Sequence, residues 1–371
     1  MQPRLQLLHS WTAQLQALLP DLRITRLRVL ALFVLGLVWA ETTALGRLAA
    51  ALPLPVQDSS TERRLRRWLA NAQVPVATTW QPLLRALLAR LGTREVRLVF
   101  DPTPYRERWT ILMLGLVVQR RTLPVAWHIV PQQQRWSQPT WRYLARLGQR
   151  VNAALPAGCA VTLLADRGLT SAGLLDLCRH LGWHYCLRLN TGPRHGPRMR
   201  LADGTTQPVW SLVCGPGCRW DGAVTLFQDA GWRTVQLTIR WPRAAAEPWL
   251  LISDRPAGRA RLAEYRRRGS CEASYQDWKG RGWQLEASRL TDRNRLNRLL
   301  LVLALAAWWL ALLGQQVVRR GRRRRFDRPD RRDLSLLRLG RRWVQALLDA
   351  DRLPPLPFRY HDDHWALRWA V

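Results

Sequence analysis

Apolar residues recur at helical spacing from the start of the chain to about residue 94. Pro53 and Pro55 interrupt that pattern, and Ser59 with Glu62 then stand at capping-box spacing, so a new helix is expected there. Its first turns carry Arg63, Arg64, Arg66 and Arg67 around Leu65 and Trp68. Helix, proline-containing turn and basic helix fit a helix-turn-helix that contacts DNA. They fit a solvated basic helix of a small bundle equally well, since no base-reading set of side chains stands out. From residue 96 the pattern shifts to short runs of Val, Ile and Leu. Val96–Phe100, Thr110–Val118 and Thr122–Val130 read as strands, the last two joined as a hairpin. A helix over Gln138–Leu155, a strand Val161–Ala165, a helix Thr170–Leu181 and a strand His184–Leu189 follow. The order β-β-β-α-β-α-β predicts an α/β (α+β) fold, a mixed sheet with flanking helices.

Residues 191–258 are rich in Gly and Pro around short strand-like runs at Val209–Val213, Ala223–Phe227, Thr234–Trp241 and Trp249–Ser253, which reads as a mostly β insertion. Helical texture resumes at Arg261 and runs to Leu313, and an amphipathic helix is expected over Leu334–Leu348. Between these two, Arg319–Arg332 holds nine arginines against Asp327 and Asp330, a flexible or DNA-contacting linker. The expected division is an N-terminal helical, DNA-binding part (1–94), a core in two pieces (95–190 and 259–316) split by the β insertion (191–258), and a basic linker with a C-terminal helical segment (317–371). The apolar runs Val29–Ala40 and Leu299–Leu313 fall short of the roughly 18 residues that span a bilayer, so they read as buried helices and no membrane partner is expected.

The formal net charge of +32 calls for a polyanionic partner, most simply nucleic acid, and no small-molecule substrate is indicated. An arginine-rich surface with no such partner is the competing reading. The six cysteines are irregularly spaced and do not form a secreted disulfide framework, which points to a reduced cytoplasmic protein. Cys214 and Cys218 could form half a metal site, with only His184 and His195 nearby.

All but one of the 58 basic residues are arginine, and the exception, Lys279, lies in Tyr265-x2-Arg268-x3-Glu272-x6-Lys279. At about 100° per residue these four side chains share one helical stripe about 60° wide. A phenol, a guanidinium, a carboxylate and an ammonium in one line suit a phosphate-and-metal surface rather than a packing face. Asp101 and Asp166 each follow directly on an apolar strand, where sheet folds place their ligand sites. With Glu272 they supply hard oxygen donors suited to Mg²⁺ or Mn²⁺.

Phe100-Asp101-x-Thr103, Asp166-Arg167-Gly168 and the Tyr-Arg-Glu-Lys spacing resemble the DDE transposases of bacterial insertion sequences, in particular the IS-four (insertion sequence four) family. The resemblance covers about residues 20–345. It implies an RNase H-like core in which Asp101, Asp166 and Glu272 hold two divalent ions, Mg²⁺ or Mn²⁺, for cut-and-paste transposition. Tyr265, Arg268 and Lys279 would contact phosphates near the cleaved end. The implied partners are double-stranded DNA (terminal inverted repeats and target) and a second copy of the chain in the end complex, in a nucleoid-associated setting. Related enzymes stack an insertion tryptophan on a flipped base. Trp241 and Trp249 are the nearest in sequence to the catalytic helix, although among 21 tryptophans any single one is as readily a core residue. Two other readings stay open: a DNA-binding relic without chemistry, and an RNase H-like structure-specific nuclease.

Overall fold

The computed structural model describes residues 3–358 except 90, 92–93, 133–135, 193–195, 281, 329 and 331. The N-terminal part is helical as expected: α1 (Pro3–Leu18), α2 (Ile24–Ala40), α3 (Leu45–Ala50), α4 (Asp58–Ala70) and α5 (Val76–Leu88). The expected capping box does not form. Helix α4 begins one residue before Ser59, with Gln57 at its N-cap, and Glu62 instead pairs with Arg66 at 2.5 Å. Arg63, Arg64, Arg66 and Arg67 are all exposed, while Leu65 and Trp68 turn inward.

Three antiparallel strands follow: β1 (Glu95–Tyr105), β2 (Trp109–Val118) and β3 (Arg121–Pro131). Helix α6 (Thr140–Asn152), β4 (Ala160–Ala165), α7 (Ala172–Leu181) and β5 (His184–Arg188) complete the expected order, with β4 parallel to both β1 and β5. The next strands are β6 (Arg198–Arg200), β7 (Thr206–Pro208), β8 (Arg219–Leu226), β9 (Arg233–Arg240) and β10 (Trp249–Ser253). Val209–Leu212 is a 3-10 turn rather than the expected strand. The β segment does not stand apart from the core. Strand β10 pairs antiparallel with β5, which gives one ten-stranded mixed sheet in the order β3-β2-β1-β4-β5-β10-β9-β8-β6-β7.

The expected helical run from Arg261 is broken into α8 (Arg259–Arg266), a 3-10 turn (Arg267–Gly269), α9 (Ser270–Trp278) and α10 (Arg293–Arg319). Helix α10 is 27 residues long, longer than its apolar run suggested, and 94% of its most apolar window is buried inside the protein. That burial explains the absence of an amphipathic stripe: the helix has core on every side. It packs on β3, α2, α4 and α5, so the N-terminal helices share its core. Asp292 caps its first turn by accepting from the Arg295 amide at 2.8 Å. Buried Arg298 donates to the Leu69 and Val74 carbonyls, tying α10 to the end of α4.

Helix α11 (Leu336–Asp349) crosses α10 at two glycines. A Cβ on Gly314 would stand 1.9 Å from the Leu336 carbonyl oxygen, and one on Gly340 would stand 2.0 Å from that of Leu310. Each helix therefore rests on the other's backbone where no methyl fits. Gly314→Ala is expected to lower stability by at least about 1–3 kcal/mol, the usual cost of overpacking, read as a shift in the denaturant midpoint. An unchanged midpoint would show that the crossing relaxes freely. Between the two helices the arginine-rich stretch is anchored rather than a loose linker. Arg323 pairs with the buried Asp327 at 2.7 Å and donates to the Leu334 carbonyl at 2.9 Å.

Candidate active site

The parallel ladder between β1 and β4 ends with Phe100 opposite Ala165. Asp101 and Asp166 are the next residues on the two chains, so backbone pairing alone sets the carboxylates side by side. Asp101 is not at a strand end as expected, because β1 continues to Tyr105 against β2. Asp166 does end its strand, and its carboxylate caps the following turn by accepting from the Arg167 amide at 2.8 Å.

The four-residue stripe is not carried by one continuous helix. Tyr265 lies in the last turn of α8, Arg268 lies in the 3-10 turn, Glu272 is in the first turn of α9, and Lys279 caps its end. The four still face the same end of the sheet. The Arg268 guanidinium lies among the three carboxylates: Nη2 is 2.7 Å from Asp101 and 3.3 Å from Asp166, and Nη1 is 2.7 Å from Glu272. The Tyr265 hydroxyl donates to Asp166 at 3.2 Å, and the phenol is otherwise buried. The Lys279 ammonium donates to the Pro104 carbonyl on β1. Neither Tyr265 nor Arg268 stands free toward solvent as a simple phosphate contact would.

Electrostatics separates the two aspartates. Burial raises the Asp101 carboxyl above its ordinary value, with Arg268 pulling the other way. Burial acts on Asp166 too, but the Arg167 amide, Arg268 and Tyr265 outweigh it and hold that carboxyl below its ordinary value. Burial lowers the Lys279 ammonium and pushes the neighbouring Cys271 thiol up to about 12, which leaves Cys271 protonated and inert.

Two groups escaped the sequence reading. The buried Tyr275 hydroxyl donates to the Asp101 carbonyl at 3.0 Å and so fixes the backbone beneath that carboxylate. It is three residues beyond Glu272, on the same side of the helix, and only that spacing could have marked it. Glu247 accepts from Arg188 at 2.6 Å and from Arg167 at 2.9 Å, walling the site beside Asp166. No local pattern joins residues so far apart in the chain. Two other acids near the site in sequence are paired elsewhere: Asp254 with His184, Asp277 with Arg121.

Trp249 meets the Tyr265 ring edge-on at 5.3 Å and so reaches the site. Trp241 leans on Trp210 and donates to the Ala245 carbonyl. Both tryptophans line a cleft of about 740 Å³ with Arg219, Arg240, Arg259 and Arg266.

The donor set fits hard divalent cations: only oxygen donors, already gathered around one positive charge. As placed, they are spaced by the guanidinium. Among the described residues no three His, Cys, Asp or Glu side chains stand close enough to hold one ion. A bound ion would therefore take the position Arg268 now fills. His184 is engaged with Asp254, and His195 lies outside the described residues, so the Cys214/Cys218 pair gains no metal partner among them.

The sequence profile described as a transposase DDE domain matches residues 106–309, more than half of the chain. It includes Asp166 and Glu272 and begins just after Asp101. No curated protein sequence matches. Among solved structures, a piggyBac transposase synaptic complex with hairpin DNA, seen by cryo-EM, is similar with a TM-score of 0.46 and 13% identity, over 89% of this chain and 72% of that one.

Proposed function

Because the chain belongs to the transposase DDE domain family, we propose that Asp101, Asp166 and Glu272 are its catalytic carboxylates and hold two Mg²⁺ or Mn²⁺ ions. The protein is a DNA transposase, an enzyme that cleaves DNA and transfers strands with divalent metal. The observation that carries the site assignment is the convergence of three carboxylates from β1, the end of β4 and α9 on the single Arg268 guanidinium, at 2.7, 3.3 and 2.7 Å. The finer family is the IS-four group, on the strength of the Tyr265, Arg268, Glu272 and Lys279 spacing. The core is RNase H-like, a reading supported by the antiparallel β3-β2-β1 and parallel β1-β4-β5 order.

When bound, the divalent ions activate the attacking water or hydroxyl and stabilise the leaving oxygen. The chain's own residues prepare the ground. Tyr275 fixes the backbone of Asp101, and Tyr265 and the Arg167 amide orient the Asp166 carboxylate. Arg268, once off the carboxylates, has a planar fork suited to a phosphate, and Lys279 adds a compact charge beside β1. Trp241 and Trp249 supply faces for an unstacked base. The exposed Arg63, Arg64, Arg66 and Arg67 of α4 suit DNA binding by the N-terminal helices. The DNA is double-stranded, comprising the element's inverted repeats and a target. Two copies of the chain form the end complex, in the cytoplasm at the nucleoid.

The test is incubation with Mg²⁺ and DNA carrying the gene's native flanks. Cleavage at the flank boundaries is expected. Specific binding with no cleavage would favour the DNA-binding relic, and cleavage governed by DNA shape alone would favour the structure-specific nuclease.

A further inference from the structure

At the end of β1 away from Asp101 lies another cleft, of about 660 Å³. Its walls come from the start of β1, the β2–β3 turn, the 3-10 turn before α9 and the segment leading into α11. Six arginines line it (Arg97, Arg120, Arg121, Arg267, Arg323 and Arg332) against the acids Glu95 and Asp333. Half of them are pinned: Arg97 to Glu95 and Glu264, Arg121 to Asp277, Arg323 to Asp327. Among the described residues Arg120, Arg267 and Arg332 form no ion pair. Burial and the adjacent Arg97 hold the Arg267 guanidinium below its ordinary value, as expected of a cation crowded by another cation. The exposed Arg322, Arg324, Arg325 and Arg328 extend the positive surface from this cleft. Among the described residues no aromatic side chain lines it, unlike the tryptophan cleft, so none of them offers a face to stack on a base. Along β1 the lining residue nearest the site, Arg97, is about 13 Å from Asp101, too far for a phosphate held in the cleft to be the one cleaved.

We propose that this cleft grips the phosphate backbone of a second DNA duplex, separate from the one being cut, without reading its sequence. The inference rests on the transposase site assignment only for the words "being cut"; the grip itself is read without catalysis. The variant is Arg120→Ala/Arg267→Ala/Arg332→Ala in the full chain, measured by fluorescence anisotropy against NaCl on a random-sequence duplex and on a duplex with the native flanks. The slope of log K against log salt on the random duplex is expected to fall by about 3, near one per lost phosphate contact, while cleavage at the flank boundaries persists. An unchanged slope on the random duplex overturns the proposal. So does a loss confined to the flank duplex, which would place element DNA in the cleft. If the triple variant misfolds, the exposed pair Arg120→Ala/Arg332→Ala carries the same test with an expected fall of about 2. A wild type that never cleaves, with the slope still lost in the variant, would sink the site assignment and leave the cleft standing.

Discussion

Glu272→Ala is expected to reduce metal-dependent DNA cleavage at least about a thousandfold, equivalent to roughly 4 kcal/mol of transition-state stabilisation, with DNA affinity almost unchanged. The reasoning is geometric. Glu272 is the most exposed of the three carboxylates, with a side chain 65% accessible, and among the described residues its side chain bonds to Arg268 alone. Removing it costs little packing, so lost activity reports on the site rather than on folding. Asp101→Ala and Asp166→Ala should match it in activity, but both are more enclosed, so their melting curves must be compared first. Cleavage assays over a Mg²⁺ titration, with anisotropy binding on the same DNA, make the check. Any one variant cleaving at the wild-type rate would break the triad.

Arg268→Ala is the sharper test of how the site receives its metal. Without metal the single guanidinium offsets part of the charge of three carboxylates, and its removal leaves like charges facing one another in a half-buried pocket. Removing one partner of a buried pair costs about 3–5 kcal/mol, so the variant should melt well below the wild type without metal. A divalent cation would then replace the missing charge without first displacing a side chain. The rise in melting temperature on adding Mn²⁺ should therefore be larger for the variant than for the wild type, because a ligand stabilises in proportion to its affinity for the folded state. Equal rises would mean that Arg268 does not occupy the ion's place.

The chain announced much of this in its own order. Short Val/Ile/Leu runs with period-breaking turns located β2, β3, β4, β5 and β10 closely, because a buried strand must be apolar and must end. That Asp101, Asp166 and Glu272 converge was readable because each followed a strand or held a fixed spacing. The ladder ending at Phe100 and Ala165 then shows why the two aspartates meet. Other features were not local properties. The break in the Tyr265–Lys279 helix lets α8 pack on β5 and β10 while α9 packs chiefly on β3, and the turn at Arg267–Gly269 between them is not marked in the apolar pattern. The role of Arg268 as counter-ion depends on Asp101 and Asp166, both distant in sequence, as well as on Glu272 one helical turn away. The glycines at the α10–α11 crossing are marked only by the backbone opposite them.

The continuity of the sheet through β5 and β10 has a consequence for solubility. Were the chain to pass directly from β5 to α8, the sheet would finish on a strand whose central residues, Tyr185, Cys186 and Leu187, are apolar, with its backbone donors and acceptors open to any other chain. An edge of that kind invites intermolecular pairing and aggregation. The added strands move the edge outward to β7, three residues long and closed by Pro208, which lacks an amide proton to offer a neighbour. Whatever else residues 191–258 do, they give the sheet a blunt end.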